Sequence, residues 1–370
     1  MKVLVIGGGI IGCATALELA KAGCAVTVFE RATPGSEASG AAAGWLAPLG
    51  DSADTAFARL AIESWRRYPE VVRELREATG IDVEYVARGT IHPLSTAEDV
   101  RHAETRARHP WAREMGIEAW DAGDVRSREP ALSPEIRGAM FVRGDHWVNN
   151  ERLVVAYAQA AVAAGVAMLT GTAVSRVLVE DGHARGVVAD GERFDADAVL
   201  LAAGAWTGEL AESFGARLRV EPRRGQMVAL RHVPTVLSHA VHADDVYLIP
   251  RPSGELLIGA TVEKVGFQRA VTALGISGLL AAGIALVPAL AGLPISRTWY
   301  GFRPWAPDSL PILGPWPGIA GLFVATAHYR NGILLAPVTA RLMAECMTHG
   351  RPSMDIKDFL PDRFIKDRKS

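Results

Sequence analysis

The first residues in the chain able to do chemistry are three glycines and an acid. Gly7, Gly9 and Gly12 form the pattern G-x-G-x-x-G directly after an apolar run, Lys2–Ile6, and Glu30 follows 18 residues after Gly12. Each glycine has its own physical role, in order a tight turn, a close approach of backbone to a pyrophosphate, and close packing of a helix on a strand. A phosphate placed there meets the open N–H groups and the positive dipole end of the following helix. Glu30 stands where a carboxylate accepts hydrogen bonds from an adenosine ribose, and its charge disfavours a 2′-phosphate. A glycine-rich turn alone can be merely structural. The strand before it, the helix after it and the acid at the next strand end agree on a dinucleotide.

A second segment, 34–45, reads Pro-Gly-Ser-Glu-Ala-Ser-Gly-Ala-Ala-Ala-Gly-Trp. Small residues let backbone run close against a ligand. Alanines outnumber serines here, unlike in a flexible linker, so the segment is expected to form a second cradle along the same cofactor.

These residues need elements to hold them. The opening reads strand, glycine turn, helix over 11–22 and strand over 25–30, a unit that requires a parallel sheet. Helices are expected at 53–80 and 150–164, with short strands near 167–179 and 184–188. Residues 197–206 form an apolar strand that runs into small residues, as a sheet strand returning to the cofactor would. From 219 to 299 the pattern shifts to strands separated by turns, including 226–230, 246–250 and 256–260, which marks a second architecture. A buried strand at 322–325, the segment 326–332 and a helix over 333–347 close the chain. A charged C-terminal tail is expected to fray.

The bulk numbers narrow the function. The 370 residues favour two domains. Lys and Arg total 39 against 41 Asp and Glu, which leaves no positive field to draw nucleic acid or an acidic membrane, so the expected partner is a small molecule. The three cysteines, Cys13, Cys24 and Cys346, have no paired spacing for disulfides or a metal site, which fits a reducing cytoplasm. Cys13 and Cys24 are read as small buried hydrophobes. Residues 1–28 resemble a signal peptide, but the spaced glycines, Glu18 and the strand at the end exclude that reading. The uncharged stretch 270–296 is interrupted by Pro288. Ile276, Leu279, Leu280, Ile284 and Val287 keep helical spacing within it, so it is read as a packed helix and not a membrane span.

Over nearly its whole length the sequence resembles the D-amino-acid oxidase and glycine oxidase family of flavoproteins. The matches are Ala41-Ala42-Ala43-Gly44, Tyr247-Leu248-Ile249-Pro250-Arg251, Gly259-Ala260-Thr261, Gly301-Phe302-Arg303-Pro304 and the run from His328 to Pro337, with the glycine oxidases nearest. The resemblance implies an α/β fold with a GR2-type, Rossmann-like FAD-binding domain over 1–82, 141–217 and 304–370. It also implies a substrate domain on an antiparallel sheet over 83–140 and 218–303, and a homotetramer. FAD is expected to be held noncovalently, because Cys346 falls within the terminal helix.

Carried over by position, Arg303 binds the substrate carboxylate, Tyr247 hydrogen-bonds it, and Arg330 lies near substrate and flavin. The apolar setting of Arg303, between Phe302 and Pro304 and near Trp299 and Trp305, suits a guanidinium reserved for a ligand, since an unpaired charge there is costly. The implied cofactor contacts are Gly7, Gly9, Ile10, Ile11 and Gly12 in the turn, Glu30 and Arg31 after the second strand, and Ser39, Gly40, Ala42, Ala43, Gly44 and Trp45 in the cradle. Val174, Ala203, Gly204 and Trp206 follow, and then His328, Tyr329, Arg330, Asn331, Gly332 and Ile333, whose N–H groups could meet the charge that develops on the reduced flavin.

The expected chemistry is hydride transfer from the substrate α-carbon to flavin N5, hydrolysis of the imine to an oxo acid and ammonia, and reduction of O2 to H2O2. The cofactor carries the hard step, so no catalytic side chain is nominated. Sarcosine or a D-amino acid as substrate, a dehydrogenase that hands electrons to a carrier, and a non-catalytic nucleotide-binding protein stay open. Two residues depart from the family pattern: Ala327 stands where glycine is usual, and Trp45 adds bulk near the flavin, on a side of the ring the sequence does not fix.

Overall fold

The computed structural model describes residues 1–48, 55–108, 110–231, 236–243 and 246–364. The tail beyond 364 and the first two residues of the helix expected at 53–80 lie outside them.

Two sheets organise the chain. The first has six strands in the order Ile312–Pro315, Leu322–Thr326, Ala198–Leu201, Lys2–Ile6, Ala25–Glu30, Ala167–Thr170. All its pairings are parallel except the hairpin at the Ile312–Pro315 edge. Alternate residues of the first strand go to opposite layers. Val3 and Val5 pack among helices Ile10–Lys21, Asn150–Ala163 and Gly332–His349, while Leu4 and Ile6 pack against a three-stranded antiparallel sheet, Val174–Glu180, His183–Ala189 and Glu192–Asp195. Burial on both faces explains why Lys2–Ile6 is continuously apolar after Lys2.

The second sheet has eight strands in the order Ile295–Trp305, Glu221–Arg231, Glu255–Gly259, Val246–Pro250, Ala240–Ala243, Thr90–Leu94, Gly138–Val142, Ile117–Asp121. It is antiparallel apart from the pairing of Ala240–Ala243 with Thr90–Leu94. Gly138–Val142 runs across the expected boundary at 140/141, and Ile295–Trp305 across that at 303/304. A hydrogen-bonded ladder is a single unit, so both strands lie whole within this sheet.

The two faces of the second sheet differ in company. Val228, Leu230, Leu248, Leu256 and Ile258 pack with helix Ala273–Leu286, whereas Met227, Ala229, Ile249 and Leu257 gather with Ala43, Trp147, Trp45, Tyr247 and Trp299. The uncharged stretch thus becomes a helix laid on a sheet: Leu279 is buried, Ile276, Leu280 and Ile284 are half-buried, and Ser277, Gly278, Ala281 and Ala285 look outward. Among the described residues, no helix is long and apolar enough to cross a membrane. All three cysteines are free, and burial pushes the Cys13 thiol up to about 12 and that of Cys346 up to about 11. Neither behaves as a reactive thiolate.

Candidate active site

A cavity of 1220 Å³ is lined by residues of both sheets. One end is built by the glycine turn. Gly7 has φ +112°, and a Cβ there would come within 2.5 Å of the Ala202 carbonyl, so this close approach requires glycine. Glu30 Oε2 accepts from the Gly8 amide (2.8 Å) and Oε1 from the Ala32 amide (2.9 Å), which fixes the carboxylate and leaves each oxygen further acceptor capacity. The Ile10 amide donates to Ser39 Oγ (3.0 Å) and ties the first helical turn to the second cradle. Gly7, Gly9, Ile10, Ile11, Glu30, Arg31 and Ser39 all line the cavity; Gly12 and Gly40 do not. A Cβ at Gly12 would sit 1.9 Å from the Gly7 carbonyl oxygen and one at Gly40 2.4 Å from that of Gly35, so these two serve backbone packing behind the wall.

The second cradle is an ordered segment. Asn150 donates to the Ser39 and Gly40 carbonyls (2.7 and 2.8 Å), and Trp299 Nε1 to the Ala41 carbonyl (3.1 Å). Ala42, Ala43, Gly44 and Trp45 line the cavity, joined by Val174, Ala203, Gly204 and Trp206, with the Arg31 guanidinium 3.8 Å over the Trp206 ring. The remaining wall is the junction from His328 to Ile333, where helix Gly332–His349 begins. His328 is buried, meets Thr339 Oγ1 at 3.1 Å, and is pushed down to about 3 by loss of water. Ala327 has φ +58° and is fully buried, so it adopts the backbone conformation that glycine favours.

The other end is a row across the second sheet. Trp299, Met227, Gly259, Tyr247 and His242 stand opposite one another on successive strands. Arg303, four residues along from Trp299, shares its face, and its guanidinium lies over Gly225, where a Cβ would meet Nη1 at 2.3 Å. Nη1 donates to the Thr261 carbonyl (2.9 Å), and Arg303 forms no ion pair among the described residues. The Tyr247 hydroxyl donates to Met227 Sδ (3.2 Å); burial raises its pKa, partly offset by Arg303 and Arg330.

Trp45 lies on this side of the cavity. Its Nε1 donates to Thr90 Oγ1 (3.0 Å), and its ring is 4.7 Å from that of His242 and 6.3 Å from that of Tyr247. Desolvation, His92 and Arg330 push His242 down to about 4. Arg330 is exposed, lines the cavity, and lies 5.2 Å over the Tyr329 ring. A guanidinium at the cavity with no ion-pair partner among the described residues suits a carboxylate.

A family model described as FAD dependent oxidoreductase matches residues 2–346. The chain belongs to this FAD dependent oxidoreductase family. It is 37% identical to a glycine oxidase of Geobacillus kaustophilus, over 98% of this chain and 97% of that protein. The crystal structure of glycine oxidase from the same organism superposes with a TM-score of 0.92 at 36% identity, covering 98% of this chain and 99% of that one. A bifunctional protein ThiO/ThiG of Synechocystis is 38% identical over 98% of this chain, which spans 54% of that longer protein.

The cavity of this FAD dependent oxidoreductase fits its cofactor on structural grounds. It reaches from the glycine turn to Arg303, and helix N-termini at Ile10 and Gly332 offer N–H donors to negative charge. Cys346 does not line it. The sequence reading missed Gly225, Gln226, Met227 and His242, all of which line the same cavity. Alternation within 226–230 shows which residues share a face, but not what they meet on neighbouring strands.

Proposed function

We propose that this flavoenzyme oxidises glycine or a comparably small amino acid. The observation that carries the reading is Arg303: a guanidinium with no described ion-pair partner, held by the Thr261 carbonyl at the end of a cavity whose far end is a dinucleotide turn. In this reading Arg303 takes the substrate carboxylate through charge-assisted bonds, and the Tyr247 hydroxyl adds a further one. Bound FAD supplies the two-electron acceptor, which no side chain provides. Trp45 and His242 crowd the same end and suit a substrate with little or no side chain. His242, neutral at pH 7, and the two arginines favour an amine that binds without its extra proton. The oxidised substrate leaves as an imine that water hydrolyses to an oxo acid and ammonia, with O2 reduced to H2O2.

The glycine oxidases among the relatives support this substrate, and the ThiO/ThiG relative supports a place in making the thiazole of thiamine. We further propose noncovalent FAD, a cytoplasmic homotetramer, and two domains whose seams fall just after Val142 and Trp305. The test is Arg303→Ala. KM for glycine is expected to rise roughly ten- to a hundredfold while the yellow cofactor stays bound, with peroxide formed in step with turnover in the unchanged enzyme. Unchanged kinetics would remove Arg303 from the site.

A further inference from the structure

Resting on the reading of Arg303 as the carboxylate clamp, we infer that Glu263 is a positioning residue for it, acting through Thr261. After strand Glu255–Gly259 the chain continues along Glu221–Arg231. The Thr261 amide reaches the Gln226 carbonyl (3.3 Å), while Arg224 and Glu263 exchange amide–carbonyl bonds of 3.0 and 2.9 Å. Thr261 therefore stands between two groups. Its carbonyl accepts from Arg303 Nη1, and its hydroxyl accepts from the Gln226 amide (2.8 Å) and donates to Glu263.

Glu263 is the hub. Its carboxylate also takes Gln226 Nε2 (2.7 Å) and the guanidinium of Arg224, which is only 3% exposed. Gln226 in turn grips Thr272, the N-cap of helix Ala273–Leu286, through its Oε1 and the Thr272 amide (2.6 Å). Backbone bonds thus hold the Thr261 peptide along the neighbouring strand, and the side chains of Thr261, Gln226 and Arg224 converge on one carboxylate. A guanidinium that donates to the Thr261 carbonyl is placed by that carbonyl and by whatever holds it. Without the hub, the Arg303 donors lose their aim at the substrate before they lose their charge.

The experiment uses the FAD-loaded enzyme and acetate, a carboxylate that cannot be oxidised at an α-amine, with binding read from the flavin absorbance. Glu263→Gln keeps the shape of the side chain and weakens its bonds. Acetate affinity is expected to fall about fivefold, with a similar rise in KM for glycine that exceeds any fall in kcat. In an Arg303→Ala background the same change is expected to add less than about twofold, because the two residues act on one contact. Thr261→Val, which removes no charge, is expected to reproduce the loss and Thr261→Ser to restore it, so the inference remains testable if Glu263→Gln folds poorly. Unchanged acetate binding in Glu263→Gln and Thr261→Val, or a loss that persists undiminished without Arg303, would overturn the positioning role. Equal acetate binding in Arg303→Ala and the unchanged enzyme would remove the clamp reading, and this inference with it.

Discussion

Gly225 shows how one missing side chain can set the place of a guanidinium. The Arg303 guanidinium lies so close over it that a Cβ would fall 2.3 to 2.5 Å from three of its atoms. These atoms are the far end of a flexible side chain, so the fold can accept Gly225→Ala by letting the guanidinium move aside. The loss is therefore expected in function: KM for glycine rising roughly ten- to a hundredfold, with FAD still bound and the thermal midpoint nearly unchanged. A large drop in midpoint at constant KM would show that the glycine serves the strand and not the arginine. Trp45 is a residue whose place the sequence left open. Its contacts with Thr90, His242 and Tyr247 put it at the end of the cavity formed by the second sheet.

At the scale of elements, the opening unit was legible because its geometry is local. Three glycines at fixed offsets, an apolar strand before and an acid after leave one arrangement, and Glu30 does sit beside the turn. Gly12 tests how strict that arrangement is. A Cβ there would lie 1.9 Å from the Gly7 carbonyl oxygen, which is backbone and cannot swing away. Gly12→Ala must therefore lift helix Ile10–Lys21 or deform the turn, at a cost of about 1–3 kcal/mol, and is expected to purify with little flavin and refill poorly when FAD is added. Full flavin content would mean that the turn tolerates the shift. The end of the cavity around Arg303 was far less legible. Arg303 and Tyr247 came from resemblance, while Gly225, Gln226 and Glu263 join them only through strand register, which a single sequence does not specify. Strands Gly138–Val142 and Ile295–Trp305 run across the boundaries expected at 140/141 and 303/304, because an apolar run does not say which sheet it will pair with.

For the whole molecule, packing takes histidines out of water, His242 and His328 in the cavity wall and His146 against Tyr85 and Trp65, and that makes stability depend on pH. Loss of water pushes His146 and His242 down to about 4 and His328 to about 3, against about 6.5 for an unfolded histidine. A folded pKa below the unfolded one means that the unfolded chain binds more protons in between, so stability is whole above pH 6.5 and declines as pH falls toward 4. Glu263, Glu255 and Glu118 add losses of the same sign at lower pH, since hydrogen bonds and nearby arginines hold their pKa values down despite burial. Asp145 opposes them: burial raises its pKa, so its charged form is the disfavoured one in the fold. The thermal midpoint is therefore expected to fall already between pH 6.5 and 5, above the range where ordinary carboxylates titrate. His146→Gln and His242→Gln together should flatten that part of the curve. A midpoint constant from pH 7 to 5 in the unchanged enzyme would mean that these imidazoles take up protons without unfolding, and that their surroundings admit water.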